Sequence, residues 1–240
     1  MDGNGRWAKN RFLPRIAGHK EGMNRVVDIV EECCKIGIKT LTLYAFSTEN
    51  WKRPEEEVNG LMNILVIYIN SQLKRILENN IIFRVVGDYS KLPSSIVKLL
   101  DDSIEKSKDN TGMVLNIALN YGGRAEIISS IKKLYEDISD GKFSIDNLNE
   151  ETFKNYLYTK ENSDVDLIIR TGNEKRISNF LIYQLAYSEF YFTDDPFYRE
   201  NELEASEFYF TDVLWPEFYA EDLYDAIYDF QNRNRRFGGI

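Results

Sequence analysis

The sequence predicts an α/β fold with a mostly parallel central sheet flanked by helices, and two observations carry this prediction. Apolar residues recur at helical spacing in several long segments, and short runs rich in β-branched and aromatic residues alternate with those segments. Such alternation is typical of βαβ units, whose neighbouring strands run parallel. Because no linker rich in proline, glycine or serine divides the chain, we expect a single domain over residues 1–240.

Each element has its own signal in the sequence. The predicted strands are 38–46, 81–87, 113–119 and 166–170, and the predicted helices are 21–35, 54–79, 123–139, 178–187 and 220–235. Pro54 suits the first position of its helix, and the three glutamates that follow complement the positive end of the helix dipole. The continuous apolar face of helix 54–79 is typical of a core helix, and it would also suit the wall of a tunnel for a growing hydrocarbon.

The distribution of charge restricts the class of ligand. The net charge of −9 argues against nucleic acid as the main partner. Residues 195–212 are strongly acidic, whereas residues 1–25 carry six cationic side chains against Asp2 and Glu21. A locally basic segment on an acidic protein indicates a site for an anionic ligand.

Hydropathy and cysteine usage point to a cytoplasmic protein. The longest uninterrupted apolar run, residues 64–69, is far too short to cross a membrane. Cys33 and Cys34 are adjacent, which is a poor geometry for a mutual disulfide. We therefore expect two reduced thiols, one of them buried.

The first polar motif is Asp2-Gly3-Asn4-Gly5-Arg6, at a point where a strand end is expected. Glycines let backbone N–H groups approach a ligand, Arg6 supplies a guanidinium, and Asp2 supplies a carboxylate for a magnesium ion. Together these groups suit a magnesium diphosphate, with Arg15 and His19 as further donors. The alternative interpretation is a glycine-rich surface turn.

A second anion clamp is predicted after the strand at 166–170. Arg170, Arg176 and Ser178 place two guanidiniums and a hydroxyl around a helix start, and arginine pairs bidentately with phosphate. The alternatives are solvated arginines and a Ser178 that only caps its helix. The chain has one histidine and lacks zinc-spaced cysteines, a GxSxG elbow and a GxxxxGK[ST] loop. Two anion clamps without an ATP loop indicate two diphosphate substrates.

Taken together, the motifs resemble the cis-prenyltransferases, especially bacterial undecaprenyl diphosphate synthase. The resemblance rests on MDGNGRWA, Arg15 with His19, YAFSTENWxR, NYGGR, RTGxEKRISNF, QLAYSEFYFTD and VLWPEF, in that order along the chain. It implies an enzyme that repeatedly condenses isopentenyl diphosphate onto an allylic diphosphate such as farnesyl diphosphate, with cis double bonds, to give a lipid-carrier precursor for cell-wall synthesis.

The resemblance also assigns roles to residues. It implies that Asp2 and Glu189 handle magnesium, and that Asn50 is a catalytic residue, which we interpret as orienting substrate because an amide is a very poor base. The residues implied around the allylic diphosphate are Gly3, Asn4, Gly5, Arg6, Trp7, Arg15 and His19. Those implied along the substrate region are Ser47, Thr48, Glu49, Trp51 and Arg53. Those implied for isopentenyl diphosphate are Arg170, Arg176, Ile177 and Ser178.

The implied partners are a second copy of the chain and the membrane that receives the product. The tail at Arg236-Phe237-Gly238 is similar to one that reaches into the partner's site in a homodimer, in a protein that is cytoplasmic or peripheral at the membrane. Two alternatives are a non-catalytic partner subunit of the same fold and a dinucleotide binder, although the latter lacks GxGxxG after a strand.

Two departures from the family pattern are visible. The family has a strand immediately before MDGNG, so we expect that the native reading frame begins upstream of Met1. SEFYFTD occurs at both 188–194 and 206–212, and removal of the acidic insertion 195–212 restores the family pattern. We expect the first copy, with Glu189, to form the edge strand and contribute to the metal site, because it joins the preceding helix by the shortest connection.

Overall fold

The computed structural model describes residues 1–159, 164–191 and 213–233, and the fold is given for these ranges. The helices are α1 (Asn4–Asn10), α2 (Arg15–Lys35), α3 (Glu55–Glu78), α4 (Ser94–Ser107), α5 (Gly123–Ser139), α6 (Glu150–Lys154) and α7 (Ala220–Asn232). The strands are β1 (Thr40–Ser47), β2 (Ile82–Val86), β3 (Val114–Tyr121), β4 (Leu167–Ile169) and β5 (Glu189–Tyr191). A 3₁₀ turn, Thr48–Lys52, follows β1 directly.

The strands are parallel, as predicted, but those of the described ranges form two sheets. One sheet has the order β1-β3-β2, and the other pairs β4 with β5. Because β3 is central, its residues are buried on both faces, and Leu115 and Leu119 belong to the main core whereas Ala118 packs in a second cluster. The predicted central parallel sheet is the three-stranded one, and residues of both β1 and β4 line a cavity.

Most predicted elements are present with bounds within a few residues. Helix α5 has the predicted bounds, and the first copy of SEFYFTD contains the short edge strand β5. The second copy and the insertion lie outside the described residues, as do the last residues of the predicted helix 220–235. The sequence prediction missed α1, α4 and α6.

The predicted helix at 178–187 is wrong. Ser178, Asn179 and Leu181 have φ values of +48°, +63° and +43°, so the chain forms successive turns instead. A right-handed helix cannot contain left-handed residues, because each one turns the next N–H away from the helix axis. Because no helix begins at this point, Ser178 is not a helix cap.

Two glycines on α2 allow α1 to pack against it. A Cβ added to Gly18 would lie 1.9 Å from the backbone oxygen of Asn4, and one added to Gly22 would lie 2.2 Å from Asn4 Oδ1. Both distances are far below van der Waals contact, so any side chain at either position would push α1 away. The packing of these two helices therefore fixes the position of the DGNGR motif against α2.

The turn between α1 and α2 is a Schellman motif with phenylalanine where glycine is usual. The N–H of Leu13 donates to the carbonyl oxygen of Ala8 at 2.9 Å, and the N–H of Phe12 donates to that of Lys9 at 3.1 Å. Phe12 has φ +57° and is 99% exposed. The left-handed conformation is costly for an aromatic residue, and packing against the protein does not offset that cost.

Phe12→Gly is expected to raise the free energy of unfolding by about 1 kcal/mol, because glycine adopts this conformation without a Cβ clash. Urea denaturation followed by circular dichroism measures the change. Phe12→Ala is the matched control: it removes the ring but keeps the Cβ, so it should recover little of the gain. Equal or lower stability of Phe12→Gly would show that the backbone at this position is not strained.

Candidate active site

A cavity of about 1230 Å³ lies between β1, β4 and the helices α2 and α3. Its apolar wall includes Ile29, Ala45, Leu61, Met62 and Leu65, so α3 is both a core helix and a cavity wall. Many of the predicted site residues line the same cavity: Asp2, Asn4, Arg6, His19, Ser47, Glu49, Asn50, Arg53, Arg170, Arg176, Ile177 and Ser178. The site therefore combines a charged end with an apolar chamber.

Asp2 lies between the two predicted clamps. Its Oδ2 accepts a hydrogen bond from Arg170 Nη2 at 3.0 Å, and its Oδ1 lies 3.7 Å from Arg6 Nη2. Burial alone would raise the pKa of this carboxyl, but the hydrogen bonds from Arg170 and from the N–H of Gly3 outweigh burial and lower the pKa below its usual value. Asp2 is therefore ionised at neutral pH.

The backbone of Asp2 is fixed by residues distant in sequence. Its N–H donates to Thr171 Oγ1 at 2.9 Å, and the hydroxyl of Thr171 donates to the carbonyl oxygen of Asp2 at the same distance. The N–H of Trp215 donates to that carbonyl oxygen as well, at 2.9 Å. Thr171 is buried and is a positioning residue that the sequence analysis did not assign.

Glu174 links the first clamp to the second. Its carboxylate lies 3.2 Å from Arg6 Nη2 and also forms an ion pair with Arg176. Arg170 donates to Ser178 Oγ at 2.8 Å and to the backbone oxygen of Arg176. Segments about 165 residues apart thus supply one cluster of guanidiniums, held in place by two carboxylates.

A second carboxylate missed by the sequence analysis, that of Glu57, holds two of the predicted substrate-binding arginines. Glu57 Oε1 lies 3.0 Å from Arg53 Nη1 and 3.4 Å from Arg15 Nη2. His19 is close to this group, and burial, followed by the positive charge of Arg53, lowers its pKa; Glu57 acts in the opposite direction. His19 is therefore neutral at pH 7 and can accept or donate a hydrogen bond.

Four buried polar atoms of cavity-lining residues have no hydrogen-bond partner among the described residues. They are Asn4 Oδ1, His19 Nε2, Asn116 Oδ1 and Gln184 Oε1. Buried polar groups are nearly always paired, so unpaired atoms beside a cavity indicate a missing ligand group or water. Asn4 and His19 are among the residues predicted to surround the allylic diphosphate.

The polar turn after β1 is fixed mainly by its own side chains. Asn50 Oδ1 accepts from the N–H of Ser47 at 3.0 Å, which leaves the amide nitrogen of Asn50 for other partners. Trp51 Nε1 donates to Asn120 Oδ1 at 2.7 Å. Burial would raise the pKa of Glu49, but the amide of Asn179, 2.9 Å away, contributes to lowering it overall.

The NYGGR motif supports the loop of the second clamp. The N–H of Gly123 donates to the carbonyl oxygen of Asn179 at 2.7 Å, and the N–H of Arg124 donates to Asn179 Oδ1 at 2.9 Å. Deeper in the protein, the buried carboxylate of Glu126 accepts from Tyr121 Oη at 2.6 Å and from Gln184 Nε2. The two bonds to Asn179 fix the loop next to Ser178, which lies at the cavity edge.

Other predicted residues lie outside the cavity wall. Glu189 is not among the lining residues, and its carboxylate accepts from Arg233 Nη1 at 2.8 Å, so its part in a metal site stays a prediction. Trp7 packs under Arg11, whose guanidinium carbon lies 4.4 Å from the ring centre. Gly3, Gly5, Arg15, Thr48 and Trp51 are likewise absent from the cavity wall. The tail at 236–238 and Glu207 lie outside the described residues.

Comparison with known proteins gives one consistent result. The family model described as undecaprenyl diphosphate synthase matches residues 1–204 and 198–238. Isoprenyl transferases from Clostridium tetani and Bacillus subtilis are 52% and 45% identical over the whole chain, which covers 87% and 85% of their lengths.

Solved structures show the same relationship. Lavandulyl diphosphate synthase from Lavandula x intermedia, solved in complex with dimethylallyl diphosphate, has a TM-score of 0.88 at 33% identity and covers 99% of this chain and 95% of its own. A probable undecaprenyl diphosphate synthase from Campylobacter jejuni has a TM-score of 0.75 at 33% identity, covering 91% and 92%.

These relatives decide between the alternatives left open by the sequence. A dinucleotide binder is not supported, and neither is a non-catalytic subunit, because the full-length relatives are named isoprenyl transferases and the cavity retains Asp2, Arg170 and Arg176. The chain therefore belongs to the undecaprenyl diphosphate synthase family and is a cis-prenyltransferase enzyme.

Proposed function

We propose that the enzyme repeatedly condenses isopentenyl diphosphate onto an allylic diphosphate of the farnesyl type, with cis double bonds, and so makes a polyprenyl diphosphate for the lipid carrier of cell-wall synthesis. One observation carries the proposal: two groups of arginines from distant segments meet at Asp2, at the charged end of an apolar cavity. Two diphosphates and one hydrocarbon chain fit such a site better than a single anion does.

The first clamp binds the allylic diphosphate. Arg6, Arg15 and Arg53 supply charge, while Asn4 and His19 line the same region with unpaired polar atoms. When the allylic C–O bond breaks, its electron pair leaves with the diphosphate, and fixed guanidiniums stabilise the added negative charge. Since Glu57 holds Arg15 and Arg53 in place beforehand, little reorganisation is required during the reaction.

The second clamp orients isopentenyl diphosphate. Arg170, Arg176 and Ser178 hold its diphosphate, so that its double bond lies near the allylic carbon that becomes cationic. The electrons of that double bond form the new C–C bond. The cation that results then loses a proton, and this forms the new double bond. The released diphosphate takes the proton, while Asn50 orients the substrate.

The residues present fit a magnesium ion. Magnesium is usually bound by one or two carboxylates together with substrate phosphates, and Asp2 is an ionised carboxylate in the wall of the cavity. The described residues contain no group of three acidic, histidine or cysteine side chains that would hold a metal alone. Asp2 would hold the ion with diphosphate oxygens, and Glu189 would contribute a second carboxylate if it left Arg233. The bound ion would supply charge neutralisation for the leaving diphosphate.

We also propose a cytoplasmic homodimer that delivers its product to the membrane. Cys33 and Cys34 are free thiols, and burial raises the pKa of Cys33 to about 12, so it is unreactive. No helix in the described ranges is long and apolar enough to cross a bilayer.

Analytical ultracentrifugation tests the proposed homodimer. A monomer at micromolar concentration would contradict it.

Incubation with farnesyl diphosphate, labelled isopentenyl diphosphate and magnesium is expected to give labelled polyprenyl diphosphates, separated by reversed-phase chromatography. Proton NMR of the product should show cis double bonds in the added units. A reaction without the allylic substrate is the control, because isopentenyl diphosphate alone has no carbon that ionises readily. Products with only trans units, or no elongation, would contradict the proposal.

A further inference from the structure

We infer that the turn between α1 and α2 docks the enzyme onto an anionic lipid surface. The docking turn is defined as residues 9–15, KNRFLPR, and every one of its residues is exposed. Phe12 projects an aromatic ring that is 99% exposed, and Leu13 beside it is 44% exposed. A fully exposed ring at the tip of a tight turn is available to an external apolar phase.

The backbone gives a second, independent reason to assign a role to Phe12. Its φ of +57° is strained, and the Schellman motif around it would be satisfied better by glycine. A residue that is unfavourable both for the backbone and for solvation does not contribute to the stability of the fold. Strain of this kind is found at functional sites, and here the side chain that causes it carries a fully exposed ring.

The charges around the ring favour an anionic bilayer as the occupant. The docking turn contains Lys9, Arg11 and Arg15 and no acidic residue, in a protein whose net charge is −9. Arg11 is paired with Glu217, and Arg15 with Glu57. Lys9 and Lys20 are exposed and form no ion pair with a described residue, so they remain available to lipid phosphates.

The position of the turn relates it to the cavity. Arg15, two residues after Leu13, contacts Glu57, which also holds the cavity residue Arg53. Insertion of Phe12 into the interface would therefore place the charged rim of the site near the lipid headgroups. This inference concerns a surface that binds without substrate, so it can fail while the proposed condensation stands.

Co-sedimentation with unilamellar vesicles tests the inference on the full chain. The wild type is expected to bind vesicles made of phosphatidylglycerol and phosphatidylcholine in equal parts, and to bind weakly to phosphatidylcholine alone. Phe12→Gly should lower the partition coefficient about tenfold or more, since an aromatic ring no longer enters the interface. Phe12→Trp should retain binding, and Lys9→Glu with Lys20→Glu should weaken binding to the anionic vesicles only.

The controls separate docking from folding and from self-association. Phe12→Gly is expected to be more stable than the wild type, so unfolding cannot explain its loss of binding, and its activity on micellar substrate should be unchanged. Tyr135→Ser removes another exposed aromatic ring, on α5, and should leave vesicle binding intact. Equal binding by Phe12→Gly and the wild type would overturn the inference. So would a wild type that ignores anionic vesicles, or a Phe12→Gly variant whose only change is weaker self-association.

Discussion

Asp2→Ala is expected to lower turnover by a factor of about 10³ or more, because it removes the carboxylate at which the two clamps meet. In the wild type that carboxylate orients Arg170 and Arg6 and would hold magnesium with the diphosphate. Without this carboxylate the two guanidiniums repel each other, and the site loses the ionised group that lies between them. Steady-state assays with both diphosphates measure the loss.

The fold should survive this substitution. The backbone bonds of Asp2 to Thr171 and Trp215 do not involve its carboxylate, so the free energy of unfolding should change by no more than about 1 kcal/mol. Asp101→Ala is the matched control, since that carboxylate accepts from Tyr89 on the surface, away from the cavity wall. If turnover of the Asp2→Ala variant is within tenfold of that of the Asp101→Ala variant, Asp2 is not a catalytic residue.

Arg170→Met is expected to lower kcat/KM by a factor of about 10²–10³, through loss of charge-assisted bonds to diphosphate and loss of the ordered second clamp. Arg170 donates to Asp2, to Ser178 and to the backbone of Arg176, so it connects the clamps internally as well. Arg170→Lys should also be impaired, because one ammonium cannot reach from Asp2 to Ser178 as the planar guanidinium does.

The pH profile gives this variant a signature that simple loss of structure lacks. The hydrogen bond from Arg170 lowers the pKa of Asp2, so its removal raises that pKa, and a larger fraction of Asp2 is protonated in acid. The acidic limb of the kcat/KM profile should therefore move to higher pH. Arg176→Met, which removes an exposed guanidinium paired with Glu174, should lower activity without moving the limb. An unmoved limb in Arg170→Met would contradict the proposed coupling.

The sequence predicted those parts of the fold in which burial follows a simple period. Helix α3 was found because apolar residues mark its buried face, and strand β3 was found because it is a short, mostly apolar run. Helix α4 was missed because part of its buried face consists of Ser103 and Ser107, whose hydroxyls donate to carbonyls within the helix. Helix α1 was missed since only Ala8 is buried in it, and the contact with α2 depends on missing side chains at Gly18 and Gly22.

For the site, residue types predicted the ligand but not the supporting framework. Arg6, Arg170 and Arg176 follow from the charge of a diphosphate, whereas the carboxylates of Glu57 and Glu174 run against that charge. Their function is visible only in three dimensions, where each one separates two guanidiniums that would otherwise repel each other. The positive φ values around Ser178 were equally hidden, because they occur in a loop held by tertiary bonds to Asn179 that local sequence does not reveal.

The bonds to the backbone of Asp2 have a consequence for biosynthesis. The carbonyl oxygen of Asp2 accepts from Thr171 and Trp215, which are translated 169 and 213 residues later. A nascent chain still on the ribosome can form the β1-β3-β2 sheet early, yet both partners of this carbonyl are available only when residue 215 has left the exit tunnel. Contacts of such long sequence separation form slowly, so we expect the part of the catalytic pocket around Asp2 to be completed late in folding.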